Sequence, residues 1–216
     1  MTVGVLDAAS AAPPSRRGTA VLLTVIALAA LVFVGAAAAP YFLSSAYGPP
    51  EYAPRRGWLL LHIVGGIIAL LTGPVQLWLG LAERGMVWHR RMGYGYITGV
   101  TLGSIGAFYM ATHTDFGWVF GAGLFGLAVA WVTTTSLAFL AIKRSLIDQH
   151  KEWMMRSYVV TFAFVTFRVM QPALQAAGVG TPLEDLAFAG WACWALPLLI
   201  TELLIQGRKI LAVRAT

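Results

Sequence analysis

Six apolar runs, each near twenty residues long and separated by short polar stretches, limit what this chain can become. They cover about 19–42, 58–80, 92–113, 117–142, 153–177 and 185–206. A helix rising 1.5 Å per residue needs about 20 residues to cross the roughly 30 Å hydrocarbon layer of a bilayer. Backbone in hydrocarbon must satisfy its own hydrogen bonds, so runs of this length and composition are expected to be helical. Composition agrees, with 58% hydrophobic and 11% charged residues, where a soluble domain carries about 25% charged. The expected fold is all-α, an integral membrane bundle of six transmembrane helices over residues 19–207. A polar, disordered tail is expected at 1–18 and a short basic tail at 208–216. Short connections make sequence neighbours antiparallel hairpins, and Pro49, Pro50 and Pro54 mark one connection as a loop. The first run ends in GAAAAP, which offers small residues for signal cleavage. It is longer than a signal core of about 7–15 residues, so it is read as a retained helix.

Basic residues sort by side. Arg16, Arg17, Arg84, Arg90, Arg91, Lys143, Arg144, Lys151, Arg156, Arg208, Lys209 and Arg214 fall on one face of a six-span scheme, and Arg55 and Arg56 on the other. An excess of Lys and Arg marks the cytoplasmic side, so both termini are expected there. Trp58, Trp118 and Trp191 fall near one interface and Trp78, Trp88 and Trp153 near the other, as in an aromatic belt. The formal charge of +6 therefore reads as membrane topology and a lipid partner; no nucleic-acid partner is expected. The single cysteine, Cys193, excludes an intramolecular disulfide.

The fifth run carries Arg168, with Gln171 and Gln175 beyond it and His150 and Arg156 before it. A guanidinium at the centre of a membrane helix costs about 2.5–3.5 kcal/mol on insertion scales, so a partner is required. On one continuous helix His150, Ser157, Thr161, Arg168 and Gln175 form a narrow stripe, expected to face the interior. The second run aligns His62, Gly66, Ala69, Gly73 and Gln76, with Pro74 as a kink. The third aligns Gly95, Gly99, Gly103, Gly106 and His113; Gly95, Gly99 and Gly103 make two overlapping GxxxG steps that allow close helix approach. In this arrangement Arg168 approaches His62 in depth, and His150 lies below Gln76, nearer His89.

The histidines divide evenly, His62 and His113 toward the outer face and His89 and His150 at the inner face. Paired histidines on helices hold heme iron axially in membrane b cytochromes. His62, His89 and His150 are accordingly candidate iron ligands for a heme b. Arg90, Arg156 and Arg168 are candidate partners for heme propionates, and Gln76 a neighbour shaping the charge around the cofactor. On an ideal helix His89 points away from the glycine stripe, so an inner site requires the chain to unwind before Met92. Simpler readings stand beside these: solvent or headgroup contact for His89 and His150, and capping for His113 beside Asp115. Glu202, one turn inside the last run, can snorkel or pair with Arg208.

The stretches LHIVGGIIALLTGPVQLW, WHRRMGYGY and QHKEWMMRSYVVTFAFVTFR resemble a family of bacterial predicted membrane proteins, the domain of unknown function 2306. His62, Gly73, Pro74, Gln76, His89, Arg90, Gly93, His150, Met154, Arg156 and Arg168 match its pattern, and His113 does not. The resemblance implies a multi-pass protein of the bacterial inner membrane and supplies no activity. Three functions stay open. One is a b-type heme or quinone-linked electron-transfer protein with a redox partner. The second is a transporter or small-ligand-binding protein with a polar cavity around Arg168, Gln171, Gln76 and His62. The third is a structural or assembly factor of a membrane complex. Whether the chain is an enzyme stays open with them.

Overall fold

The computed structural model describes residues 16–213, as helices and their connections. Most of the tail expected at 1–18, up to residue 15, lies outside the described residues, as does Arg214 of the basic C-terminal tail. The chain runs α1 (Arg16–Phe33), a wider turn of helix at Val34–Ala38, α2 (Pro40–Leu43), a tighter turn at Pro50–Arg55, α3 (Arg56–Ala82), α4 (Met86–Thr112), α5 (Trp118–Lys143), α6 (Ile147–Thr161), α7 (Ala163–Ala177) and α8 (Pro182–Val213). The last helix therefore continues through most of the expected C-terminal tail.

Among the described residues, five helical stretches are long and apolar enough to cross a membrane: 17–43, 50–82, 118–143, 147–177 and 182–211. Helix α4 has comparable length, 27 residues. Its glycines, threonines and tyrosines dilute its hydropathy, and the glycines Gly99, Gly103 and Gly106 lie buried against α3 and α5.

Helices α3 and α4 form the tightest pair, and missing Cβ atoms explain it. A Cβ on Gly65 would overlap the backbone of Gly103; one on Gly99 would stand 2.8 Å from Ala69 N, and one on Gly106 2.6 Å from the Trp58 carbonyl. As the contacts climb α4 they descend α3, which makes the pair antiparallel. Gly65, absent from the expected stripe, faces this seam, and Gly66 instead lies under the ring of Phe164. Gly95 has only Thr72 Cγ2 nearby, at 3.9 Å, so the working step of the GxxxG pattern is Gly99–Gly103.

The reversal between α3 and α4 takes three residues. Glu83 (φ 51°) closes α3 and Gly85 (φ 61°) precedes α4, both in the left-handed region. Glycine adopts that region without steric cost, and a glutamate there is tolerated as a single residue ending a helix. Loops 83–85 and 144–146 lie at one end of the bundle with both ends of the described chain, called here the basic end. Loops 44–49, 113–117 and 178–181 lie at the far end.

Pro74 shapes α3. It has no N–H to return to the Leu70 carbonyl, and Tyr158 Oη–H donates to that oxygen at 3.2 Å. The Tyr158 ring occupies the space that a side chain at Gly73 would fill. At the end of the first span a turn of i to i+5 bonding, Ala39 N–H to Val34 O at 2.8 Å, precedes Pro40, and Arg56 caps the carbonyls of Tyr41, Ser44 and Ser45.

The core joins Ala69, Tyr96, Val100, Trp131, Tyr158 and Val160 from α3, α4, α5 and α6. Polar atoms at its centre satisfy one another. Tyr96 Oη bonds Ser157 Oγ (2.8 Å) and Thr161 Oγ1 (2.7 Å), Trp131 Nε1–H donates to Thr161 Oγ1 (2.7 Å), and Thr135 Oγ1 meets Ser157 Oγ (2.7 Å). Helix α8 closes the side of α5, with Trp191 and Trp194 donating to Val119 O (3.0 Å) and Gly123 O (3.2 Å).

Candidate functional site

The basic end brings two histidines together. His89 lies in the first turn of α4, where the short reversal folds it back onto α3. Its Nδ1–H donates to Gln76 O at 3.2 Å, and Gln76 Nε2–H donates in return to His89 O. His89 also packs on Gly80, where a Cβ would come within 3.2 Å of its Cε1. The expectation that His89 needs an unwound chain is corrected: α4 is helical from Met86, and His89 continues the seam of Gly93, Gly99 and Gly103 toward α3.

His150, in the first turn of α6, donates Nδ1–H to Ala138 O of α5 at 2.9 Å. The rings of His89 and His150 stand 6.4 Å apart between centroids, with planes at 85°, and both histidines lie against neighbouring helices. A carbonyl can only accept, so each Nδ1 carries a proton, and in the neutral ring the lone pair is left on Nε2. Histidines that hold a metal are commonly oriented in this way, through the nitrogen that does not bind it.

The far-end histidines share the carbonyl anchor, with His113 Nδ1 2.9 Å from Tyr109 O, but not the pairing. His62 donates Nδ1–H to Gly103 O (2.8 Å), and its ring lies 5.0 Å from Phe164 and 6.5 Å from Trp131. It stands in an aromatic enclosure. His113 lies at the end of α4, stacked on Tyr109 at 4.1 Å, which stacks in turn on Trp58 at 4.6 Å. The structure therefore brings together a pair at the basic end, and no contact joins His62 to His113 among the described residues.

The fifth apolar run is not one continuous stripe. A turn at Phe162 separates α6 from α7, with Phe162 itself still in the helical region (φ −68°, ψ −9°). Ser157 and Thr161 are fully enclosed, whereas Arg168 and Gln175 stand toward the outside of the bundle. Arg168 reaches the hydroxyl of Tyr41 at 3.5 Å, one helical turn beyond Phe164, whose ring lies 5.0 Å from that of His62. Gln76, at the other end of α3, bonds His89. Gln76 and Arg168 thus lie toward opposite ends of the bundle.

Arg156 is committed elsewhere. Its Nε donates to Glu202 at 2.7 Å, its Nη2 lies 2.5 Å from Glu202 and its Nη1 3.6 Å from Glu152, and its guanidinium covers the Trp153 ring at 4.6 Å. Lys209 joins Glu152 at 2.8 Å. Glu202 therefore pairs with Arg156 and Gln206, across and along α8, in place of Arg208. These groups line a cleft of 640 Å³ between α5, α6 and α8. Arg90 lies one residue beyond His89, and Arg91 lies over the Trp88 ring at 5.4 Å. Among the described residues no three His, Cys, Asp or Glu converge as a metal-binding group, so the histidine pair offers two protein ligands.

Tyr96 and Trp131 are central to the core, and periodicity alone does not single them out. Trp131 carried a signal, because it lies mid-run, far from the interfacial belt, where its indole N–H needs a protein acceptor. At the far end Arg55 pairs with Asp115 at 2.5 Å and holds that carboxylate below its usual pKa range.

A family model described as "Predicted membrane protein (DUF2306)" matches residues 59–205, a range that runs from α3 through most of α8. No curated protein and no solved structure matches the chain.

Proposed function

The chain belongs to the DUF2306 family of predicted membrane proteins, and on that premise we propose that it is an electron-transfer protein holding one b-type heme between His89 and His150. The observation that supports this reading is the inner pair itself: two rings 6.4 Å apart, each anchored by Nδ1 to a backbone carbonyl. Metal–imidazole bonds of about 2 Å on either side of one ion put ring centroids roughly 6 Å apart. Two ligands from protein suit a heme, whose porphyrin supplies the other four. When bound, the iron would carry one electron between ferric and ferrous states. The chain's own part is to fix both tautomers and to hold each ring against a helix. Arg90, beside His89 in sequence, is the propionate partner in this scheme, because Arg156 is engaged by Glu202.

The reading places α4 as a sixth span and both termini on the cytoplasmic side of a bacterial inner membrane. The crowd of basic residues at one end, against Arg55 and Arg56 at the other, supports that orientation. It retains the first helix. The test is an absorption spectrum of protein expressed with added heme precursor and purified in mild detergent. A Soret band that sharpens on reduction, and that disappears in His89→Ala and in His150→Ala, is expected. A colourless wild-type protein would sink the proposal.

A further inference from the structure

Between α4 and α5 a groove of 430 Å³ opens on the side of the bundle, within the roughly 300–1,000 Å³ common for small-molecule sites. Val100, Ser104 and Thr135, all buried, form its base, and Ile105, Val132 and Phe139, all exposed, form its rim. Ser104 is 3% exposed, and its Oγ is the buried side-chain oxygen that has no hydrogen-bond partner among the described residues. A hydroxyl inside a helix ordinarily returns to the carbonyl four residues back, as those of Thr72, Thr101 and Thr134 do here. Thr135, in the same groove, donates to Trp131 O at 2.8 Å. The groove thus holds one buried hydroxyl without a partner, at a depth where bulk water does not reach.

We infer that this groove binds the head of a membrane quinone, a ring carbonyl accepting from Ser104 Oγ while the apolar tail lies along the rim. Depth selects this ligand over a resident diacyl lipid. Ser104 is eight residues inside the Thr112 end of α4, about 12 Å along the axis. Lipid ester carbonyls lie at the edge of the roughly 30 Å hydrocarbon layer, near the level of that helix end. A quinone ring, itself soluble in hydrocarbon, reaches the level of Ser104. The inference stands on the groove and Ser104 and not on the histidine pair, so a colourless protein that binds quinone keeps this one and removes the other.

The test is thermal unfolding of the full chain in quinone-free detergent, followed by circular dichroism, with a decyl-tailed benzoquinone titrated in. Wild type is expected to gain several degrees, with Ser104→Ala keeping its quinone-free midpoint and binding roughly tenfold more weakly. Val132→Trp, at the rim, is expected to lose the shift by filling the groove, and it serves should Ser104→Ala fold poorly. No shift in wild type, or the same shift in both variants, overturns the inference. A Ser104-dependent shift produced by a short diacyl phosphatidylglycerol and not by the quinone overturns it too, assigning the site to a lipid ester.

Discussion

The two ends of the bundle use similar residue types in opposite ways. At the basic end His89 and His150 face each other and Arg156 is enclosed by Glu202, Glu152 and Trp153. At the far end His113 is stacked on Tyr109, His62 stands among aromatic rings, and Arg168 has one long bond to Tyr41. A residue type alone therefore says little about role in a membrane helix. What distinguishes these residues is the side chain each one meets: a second imidazole for His89 and His150, carboxylates for Arg156, and aromatic residues for His62, His113 and Arg168.

The contrast can be broken most decisively by spectroscopy. On the proposed heme reading, His150→Ala should abolish the Soret band, while His113→Ala, in the far-end stack, should leave it at wild-type intensity; equal losses would remove the distinction. The arginines give the next largest difference. Arg156→Ala leaves Glu202 without its main partner, and because Glu202 is 42% exposed the cost should be about 2 kcal/mol, between surface-pair and buried-pair values. Arg168→Ala should stay within about 0.5 kcal/mol, since its bond to Tyr41 lies at the distance limit. Chemical unfolding of both variants in the same micelle checks the order.

Tyr158→Phe sharpens the comparison within the membrane interior. It removes the donor to Leu70 O and should cost about 0.6 kcal/mol, near the average for membrane hydrogen bonds. The smallest effect belongs to the far end. Arg55 depresses the pKa of Asp115 in the folded chain, so the pair's stabilisation is present above the unfolded carboxylate value of about 3.9 and is lost as pH falls through the folded value. A melting-temperature profile against pH should show a slight extra decline below about pH 4 in wild type that is missing in Asp115→Asn.

Much of the architecture is legible from run length and glycine spacing, because hydrocarbon leaves few choices for backbone. The seam at Gly99 and Gly103 and the approach of His150 to His89 and Gln76 come from counting turns on straight helices. Straight helices also set the limit of that legibility. Ser157 and Thr161 are enclosed while Arg168 and Gln175 are exposed, and the turn at Phe162 between them has no proline or glycine to announce it. Gly65 and Gly66 are adjacent and both small, so only the partner helices, α4 for one and α7 for the other, decide which serves which. The pairing of Arg156 with Glu202 joins residues 46 positions apart, a distance over which helix periodicity carries no information.

Pro74 and Tyr158 bear on how the protein is made. Helix α3 leaves synthesis with the Leu70 carbonyl lacking its helical donor, and the hydroxyl that serves it arrives 88 residues later in α6. During insertion the α3–α4 hairpin enters the bilayer unfinished, with a bare carbonyl against which water or lipid must stand in. The docking of α6 then does two things in one step, filling the space beside Gly73 and relieving that carbonyl. Assembly is thereby given a sequence in time: the α3–α4 hairpin waits for α6 before its own backbone is complete.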